Sequence, residues 1–124
     1  LLIIDYGYNK KKMQDTLRAI CKHKYSNILK NIGKSDITHD INFNLFKKII
    51  LNQKKLNTNF TTQRNFLINL GIKHRAEIIS QNKTFTDKAD IYYRLKRLID
   101  KKEMGDVFKV MLVKKSNNDF KIGF

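Results

Sequence analysis

The apolar and polar positions along the chain fall into blocks that predict an alternation of strands and helices. The first block, Leu1–Ile4, is a run of four apolar residues, which is typical of a strand buried on both faces of a sheet. The run ends at Asp5, Tyr6 and Gly7, and we expect Gly7 to turn the chain at positive φ. Asp5 and Tyr6 would then lie at the carboxyl end of the strand, where open parallel sheets place their ligand sites.

Helical spacing dominates the middle of the chain. Apolar residues recur every three or four positions in four stretches, which predict helices over residues 43–53, 64–70, 73–81 and 87–99. Gly71 suits the residue that follows the second helix, and Asp87 can cap the fourth. The stretch 21–33 also carries apolar residues at helical spacing, whereas 15–20 is too short to decide between a strand and a helix.

Further strands are predicted around these helices. Val107–Val113 is a second apolar strand, and Leu56–Phe60 suits a short strand. Phe120–Phe124 suits a hairpin partner of Val107–Val113. The order of elements predicts an α/β fold with a long polar insertion after the first strand. We expect residues 1–124 to form a single partial domain. A buried strand at the first residue has no partner strand before it, so we expect a missing N-terminal half.

Composition restricts the chemistry that these residues can perform. The five glycines are scattered singly, so the sequence contains no glycine-rich loop for a phosphate or a dinucleotide. Cys21 is the only cysteine, which excludes an internal disulfide and a cysteine-rich zinc site and favours a cytoplasmic setting. No apolar run approaches the roughly 20 residues that a bilayer span needs, so we expect no membrane span. Three scattered histidines are more often hydrogen-bonded than metal-bound.

The net charge of +15 raises the alternative of a nucleic-acid partner. The excess consists mainly of lysine, and a bacterial genome rich in AT would produce the same composition without a polyanionic partner. Four aromatic residues lie among the basic ones and could stack on bases: Phe66, Tyr92, Tyr93 and Phe108. At helical spacing beside leucine and isoleucine, such residues more often belong to the core. A basic nucleic-acid-binding module therefore stays open as the second interpretation.

An ordered series of short motifs resembles the C-terminal half of the MidA family. The motifs are Leu2-Ile3-Ile4-Asp5-Tyr6-Gly7, Asp15-Thr16-Leu17-Arg18-Ala19 with His23, Gly33 with Asp36-Ile37-Thr38 and Phe43, Thr62-Gln63-Arg64-Asn65-Phe66-Leu67 with Leu70-Gly71-Ile72, and Met104-Gly105-Asp106-Val107-Phe108-Lys109-Val110. The family consists of S-adenosylmethionine-dependent methyltransferases and includes a mitochondrial complex I assembly factor that methylates protein arginine. The sequence departs from the family pattern at Asp40 and Asn42, where the family usually has His and Asp.

The resemblance implies the C-terminal part of a Rossmann-like class I methyltransferase sheet with a helical insertion. Residues 1–6 would resemble its fifth strand, and residues 107–113 would resemble one of its last two. The family's glycine-rich S-adenosylmethionine motif lies upstream of these residues. We therefore expect the cofactor to be S-adenosylmethionine for a full-length member and none for this chain alone.

The resemblance also implies the substrate and the residues that position it. The expected partner is a protein substrate, such as a respiratory complex I subunit, with arginine as the methyl acceptor. Nine residues are predicted on the substrate side of the site: Asp5, Tyr6, Gly7, Thr16, Arg18, His23, Asp36, Thr38 and Gln63. Asp5 or Asp36 would hold the guanidinium of the acceptor. A third interpretation is a non-catalytic remnant of a split methyltransferase gene.

Overall fold

The computed structural model describes residues 1–53, 55–115 and 122–124. The elements in chain order are β1 (Leu2–Tyr8), β2 (Arg18–Cys21), β3 (Lys24–Ser26), β4 (Asp36–Thr38), β5 (Ile41–Asn42), α1 (Phe43–Leu51), β6 (Asn57–Thr62), α2 (Gln63–Asn69), α3 (Ile72–Ser80), α4 (Phe85–Ile99) and β7 (Phe108–Lys114). The predicted mixture of strands and helices is confirmed, with a second small sheet in the segment between β1 and α1.

The main sheet has the strand order β5-β1-β7-β6. Strand β7 is antiparallel to both neighbours, and β1 is parallel to β5 only at Gly7 and Tyr8. Because β1 and β6 occupy both edges of β7, they fill the place that a hairpin strand over Phe120–Phe124 would need. Of that stretch the structure describes residues 122–124, which include a turn, and the remainder lies outside the described residues.

The core lies between the main sheet and α1. Phe43 and Met111 are almost completely buried, and Ile50 completes this cluster. Phe43 also contacts Phe60 of β6 with ring centroids 5.4 Å apart. Ile3 packs against the same cluster, so one face of β1 is attached to the core.

The expectation that β1 is buried on both faces is wrong for this chain. Leu2, Ile4 and Tyr6 alternate with the core-facing Ile3 and are 46%, 48% and 43% exposed. The physical reason is that α1 covers one face of β1, whereas the described residues leave the other face largely uncovered. Between Leu2 and Tyr6, the described residues also provide no strand partner on the edge opposite β7.

Gly7 does not turn the chain at positive φ, because β1 continues through it to Tyr8. Its small size is needed for packing instead. A Cβ atom at this position would lie 2.5 Å from the carbonyl oxygen of Ile41 and 2.6 Å from the ring of Phe43. Gly7 therefore allows β5 and the start of α1 to approach β1 closely.

The helical spacing in residues 21–33 does not produce a helix. Instead, β2 pairs with both β3 and β4 in a three-stranded antiparallel sheet. Lys22 and His23 adopt positive φ values of 50° and 61° and form the tight connection between β2 and β3. The antiparallel pairing of β2 with β3 and β4 outweighs the spacing of the apolar residues, although positive φ is uncommon for residues other than glycine.

Polar side chains set the helix starts. Asn42 accepts a hydrogen bond from the amide of Leu45 at the start of α1. The cap of α4 is Thr84 rather than Asp87, since the Thr84 hydroxyl oxygen accepts from the Asp87 amide and the hydroxyl donates to the Asp87 carboxylate. Gly71, at φ 80°, separates α2 from α3, as its position predicts.

Candidate functional site

A cleft lies where the carboxyl-terminal part of β1 meets the small sheet. Its volume is about 250 Å³, and it is lined by Tyr6, Arg18, Ile20, Tyr25, Thr38, Asp40 and Val107. The topology brings these residues together because β2 pairs with β4, which places Arg18 directly opposite Thr38. Three of the nine residues predicted for the substrate side therefore line one cleft: Tyr6, Arg18 and Thr38.

An ion pair between Arg18 and Asp40 forms one wall of this cleft. The Nη2 atom of Arg18 donates to Oδ1 of Asp40, and both side chains remain partly exposed, at 37% and 25%. The Asp40 amide donates to the Thr16 hydroxyl oxygen over 3.0 Å. Thr16 therefore does not line the cleft but holds the backbone of Asp40 in place through this hydrogen bond.

Aromatic rings border the cleft on other sides. Tyr6 packs on Phe108 with ring centroids 4.2 Å apart and an interplanar angle of 36°. Tyr25, next to the β2–β3 connection, lines the cleft and is 79% exposed. Aromatic faces attract cationic groups, and Arg guanidinium stacks on them especially well.

Lys109 introduces a perturbed charge near this region. It stands directly across from Asp5 in the β1–β7 pairing, and its Nζ donates to the carbonyl oxygen of Asp106. Partial burial lowers the pKa of Lys109, while the nearby carboxylates of Asp106 and Asp40 act in the opposite direction. The fold thus holds a partly desolvated ammonium group within electrostatic range of the Asp40 carboxylate.

The remaining predicted site residues lie outside the cleft lining. The Asp5 carboxylate accepts from the amide of Tyr6 over 2.7 Å, which is a local contact. His23 lies in the β2–β3 connection, and Asp36 is exposed on β4 opposite Ile20. Gly7 serves close packing, as described above.

Gln63 performs a structural task at a distance from the cleft lining. Its buried side chain donates to the carbonyl oxygen of Leu98 over 2.9 Å, and Arg64 Nη1 donates to that of Ile99 over 2.6 Å. Both acceptors belong to the last turn of α4, where carbonyl groups have no partner within the helix. The start of α2 therefore stabilises the end of α4.

Sequence reasoning did not include Asp40 or Tyr25 in the site. Asp40 is two residues beyond Thr38, but only the pairing of β2 with β4 shows that its carboxylate meets Arg18. The helical spacing over residues 21–33 includes Tyr25 and does not indicate its place beside the cleft. The departure from the family pattern at Asp40 was the one signal that pointed toward this position.

Metal and membrane features are also defined for the described part of the chain. Within residues 1–53, 55–115 and 122–124, no group of three His, Cys, Asp or Glu side chains is arranged to hold a metal ion. Over the same residues, none of the helices combines the length and apolar character needed to cross a bilayer.

Comparison with known proteins identifies the class to which this fold and cleft belong. Residues 1–62, which are half of the chain and contain every cleft residue except Val107, match the family model Methyltransf_28 of S-adenosyl-L-methionine-dependent methyltransferases. The chain therefore belongs to this MidA-type family of S-adenosylmethionine-dependent methyltransferases. The resemblance inferred from the ordered motifs is confirmed.

The relatives with curated names are protein arginine methyltransferases. The chain is 30% identical over 112 residues to Protein arginine methyltransferase NDUFAF7, mitochondrial, of Danio rerio. The aligned residues make up 90% of this chain and 26% of the relative. The human protein of the same name is 28% identical over 108 residues, and the aligned residues make up 24% of its length. The chain thus spans about a quarter of the length of these relatives. The cytoplasmic setting expected from composition stays a prediction.

Solved structures show the same fold. A crystal structure of a protein from Burkholderia thailandensis superposes with a TM-score of 0.79 at 24% identity, covering 98% of this chain and 34% of that one. A second structure from the same organism, bound to S-adenosyl-homocysteine, gives a TM-score of 0.76 at 22% identity, covering 94% and 32%. The predicted methyltransferase-type α/β fold is confirmed.

Proposed function

We propose that this chain forms the substrate side of an S-adenosylmethionine-dependent methyltransferase that acts on protein arginine. The observation that carries the proposal is the cleft in which Tyr6, Arg18, Thr38 and Asp40 meet, since nearly all of it lies within the residues that match the family model. The arginine specificity rests on the names of the relatives. A complex I subunit as the substrate stays a prediction.

The cleft has the chemistry to position a guanidinium group. Arg18 engages Oδ1 of Asp40, so the second carboxylate oxygen can accept an N–H from an acceptor arginine. The rings of Tyr6 and Tyr25 can stack on the planar cation, and the Thr38 hydroxyl supplies a further polar contact. Methyl transfer to nitrogen depends on the alignment of the acceptor with the methyl group, and holding the guanidinium plane would provide that alignment.

The cofactor would be held by a segment outside these 124 residues. Support comes from the scattered glycines, which provide no glycine-rich loop, and from relatives about four times as long. The edge of β1 from Leu2 to Tyr6, which has no strand partner among the described residues, and the exposed apolar face of the strand offer a surface for such a segment. In the family, S-adenosylmethionine supplies the methyl group, and the residues described here would bind and orient the acceptor.

Transfer of a labelled methyl group tests the proposal. The polypeptide extended by the segment encoded upstream of residue 1 would be incubated with labelled S-adenosylmethionine and an arginine-rich protein. We expect Asp40→Asn to raise the KM for the protein substrate while cofactor affinity is kept. Asp36→Asn, which alters an exposed acid outside the cleft, is the matched control. Equal effects of the two substitutions would contradict an acceptor-binding role for the cleft.

A nucleic-acid-binding function is the second candidate, and one feature favours it. Lys22, His23 and Lys24 are exposed around the β2–β3 connection, next to the exposed ring of Tyr25. Basic groups beside an aromatic face suit single-stranded RNA. Binding of a labelled RNA should weaken steeply with salt if this function is real. Absence of binding at low salt would exclude it.

A further inference from the structure

A second concave surface lies between α3 and α4, on elements that contribute nothing to the lining of the cleft. The two helices pack against each other and enclose a groove of about 330 Å³. Its floor is apolar and is formed by Ile72, Ile79, Ile91, Leu95 and Leu98. Ile79 is 46% exposed although it lies in this floor, so the groove presents apolar surface to solvent.

The groove continues toward the end of α4. Arg94 and Leu98 also border a neighbouring depression that includes Arg97 and Met104. The apolar floor therefore extends along α4 for about two turns, with guanidinium groups along its margin. This elongated shape suits a rod-like ligand better than a compact one.

The charges at the margin of the groove are unbalanced. Asp90 is the acid in the groove lining, and its carboxylate already pairs with Arg94 over 2.8 Å. Arg75 lines the groove together with this pair, and Arg97 lines the neighbouring depression. Within the described residues, neither of the two takes part in an ion pair. The groove thus combines an apolar floor with two uncompensated guanidinium groups.

We propose that this groove binds an amphipathic helix of a protein partner. Apolar residues at every third or fourth position of that helix would fill the floor, and acidic residues beside them would face Arg75 and Arg97. Charge complementarity selects this occupant, because guanidinium groups pair with carboxylates in a bidentate geometry. A nucleic acid would leave the apolar floor without a matching surface. The inference is independent of methyl transfer, since it uses neither the cleft nor a cofactor.

Two synthetic helical peptides of equal length test this inference against the full chain. Both carry the same leucine stripe, and the stripe is flanked by glutamates in one peptide and by lysines in the other. Fluorescence anisotropy should show binding of the glutamate peptide and little binding of the lysine peptide. The double variant Arg75→Glu with Arg97→Glu should bind the glutamate peptide about tenfold or more weakly, because like charges then face each other. The same variant should bind the lysine peptide more tightly than the wild type does.

The matched control is Lys96→Glu, which reverses one basic charge, as each substitution of the double variant does, on the face of α4 that lines another depression with Arg64 and Tyr92. This variant should bind both peptides with affinities within about twofold of those of the wild type. The gain of lysine-peptide binding guards against a variant that merely fails to fold. Equal affinity for the two peptides, no binding, or an equal loss in the Lys96→Glu variant would overturn the proposal. Self-association that Ile79→Asn abolishes would also overturn it, by showing that a second copy fills the groove.

Discussion

The guanidinium of Arg18 on β2 pairs with the carboxylate of Asp40, which lies 22 residues later between β4 and β5. The pair joins the small sheet to the segment that enters the main sheet. Among the described residues, the other Asp40 carboxylate oxygen and the remaining side-chain donors of Arg18 have no hydrogen-bond partner, so they are available to a ligand. The pair therefore holds the cleft together, and the proposed function would give it a second, separable role in binding the acceptor.

The structural role of this pair predicts a modest loss of stability when it is removed. Because both side chains are partly exposed and solvent screens the pair, Asp40→Asn should lower the free energy of unfolding by about 1 kcal/mol. Arg18→Gln should have a similar effect. A double-mutant cycle by urea denaturation measures the coupling, and fully additive losses would show that the two residues do not interact.

Close packing at Gly7 predicts a larger effect. A Cβ atom at this position would meet the Ile41 carbonyl oxygen and the Phe43 ring, so Gly7→Ala should lower the free energy of unfolding by about 1–3 kcal/mol. Gly33→Ala is the control, because a Cβ atom at this position would meet open space. Only the positive φ of 76° disfavours alanine there, so the free energy of unfolding should fall by about 1 kcal/mol. A smaller loss at Gly7 than at Gly33, measured by denaturant titration, would contradict this account.

The contact between Gln63 and the end of α4 predicts that a shape-conserving substitution is costly. Gln63→Met leaves the Leu98 carbonyl oxygen without its partner, so the free energy of unfolding should fall by about 1–3 kcal/mol. Hydrogen exchange should rise in the last turn of α4 first. Gln81→Met, at an exposed position after α3, should change little. Equal losses in the two variants would argue against this role of Gln63.

The lowered pKa of Lys109 predicts a pH-dependent contribution to stability. Between the lowered folded-state pKa and the unfolded-state value near 10.4, the unfolded chain binds more protons at this position than the folded chain. The contribution of Lys109 should therefore become more favourable as pH rises through this window. We therefore compare the free energy of unfolding of the wild type with that of Lys109→Met and with that of Lys109→Arg. The advantage of the wild type over each variant should increase with pH. A difference that is flat with pH, or falls, would contradict the burial of the ammonium group.

Elements with strong local signals could be predicted from the sequence. The stripe of Phe43, Phe46 and Ile50 defined α1, and Gly71 separated two helices at the expected place. The apolar run at Val107–Val113 formed β7 within one residue at each end. Residues 21–33 could not be predicted in the same way, because the Lys22-His23 connection and the pairing with β4 depend on contacts that spacing does not encode.

The site was predictable only in part, for a related reason. The motifs of the resemblance identified Tyr6, Arg18 and Thr38, which the fold places in one cleft. Asp5 and Gly7 lie on β1 beside Tyr6, but neighbouring residues of a strand point to opposite faces of the sheet, which separates both of them from Tyr6. Asp40 enters the cleft through the long-range pairing of β2 with β4, which no local pattern marks. Tyr25 enters it through the hairpin of β2 and β3, whose Lys22-His23 turn lacks the glycine or asparagine that usually signals a hairpin.

The central claim is that these residues form the acceptor side of a methyltransferase whose cofactor site lies elsewhere. Isothermal titration of S-adenosyl-homocysteine into residues 1–124, and into the polypeptide extended by the segment encoded upstream of residue 1, tests it most directly. We predict no measurable heat of binding for residues 1–124 and saturable one-to-one binding for the extended polypeptide. Tight binding to residues 1–124 alone, or no binding to an extended polypeptide that is folded, would contradict the account.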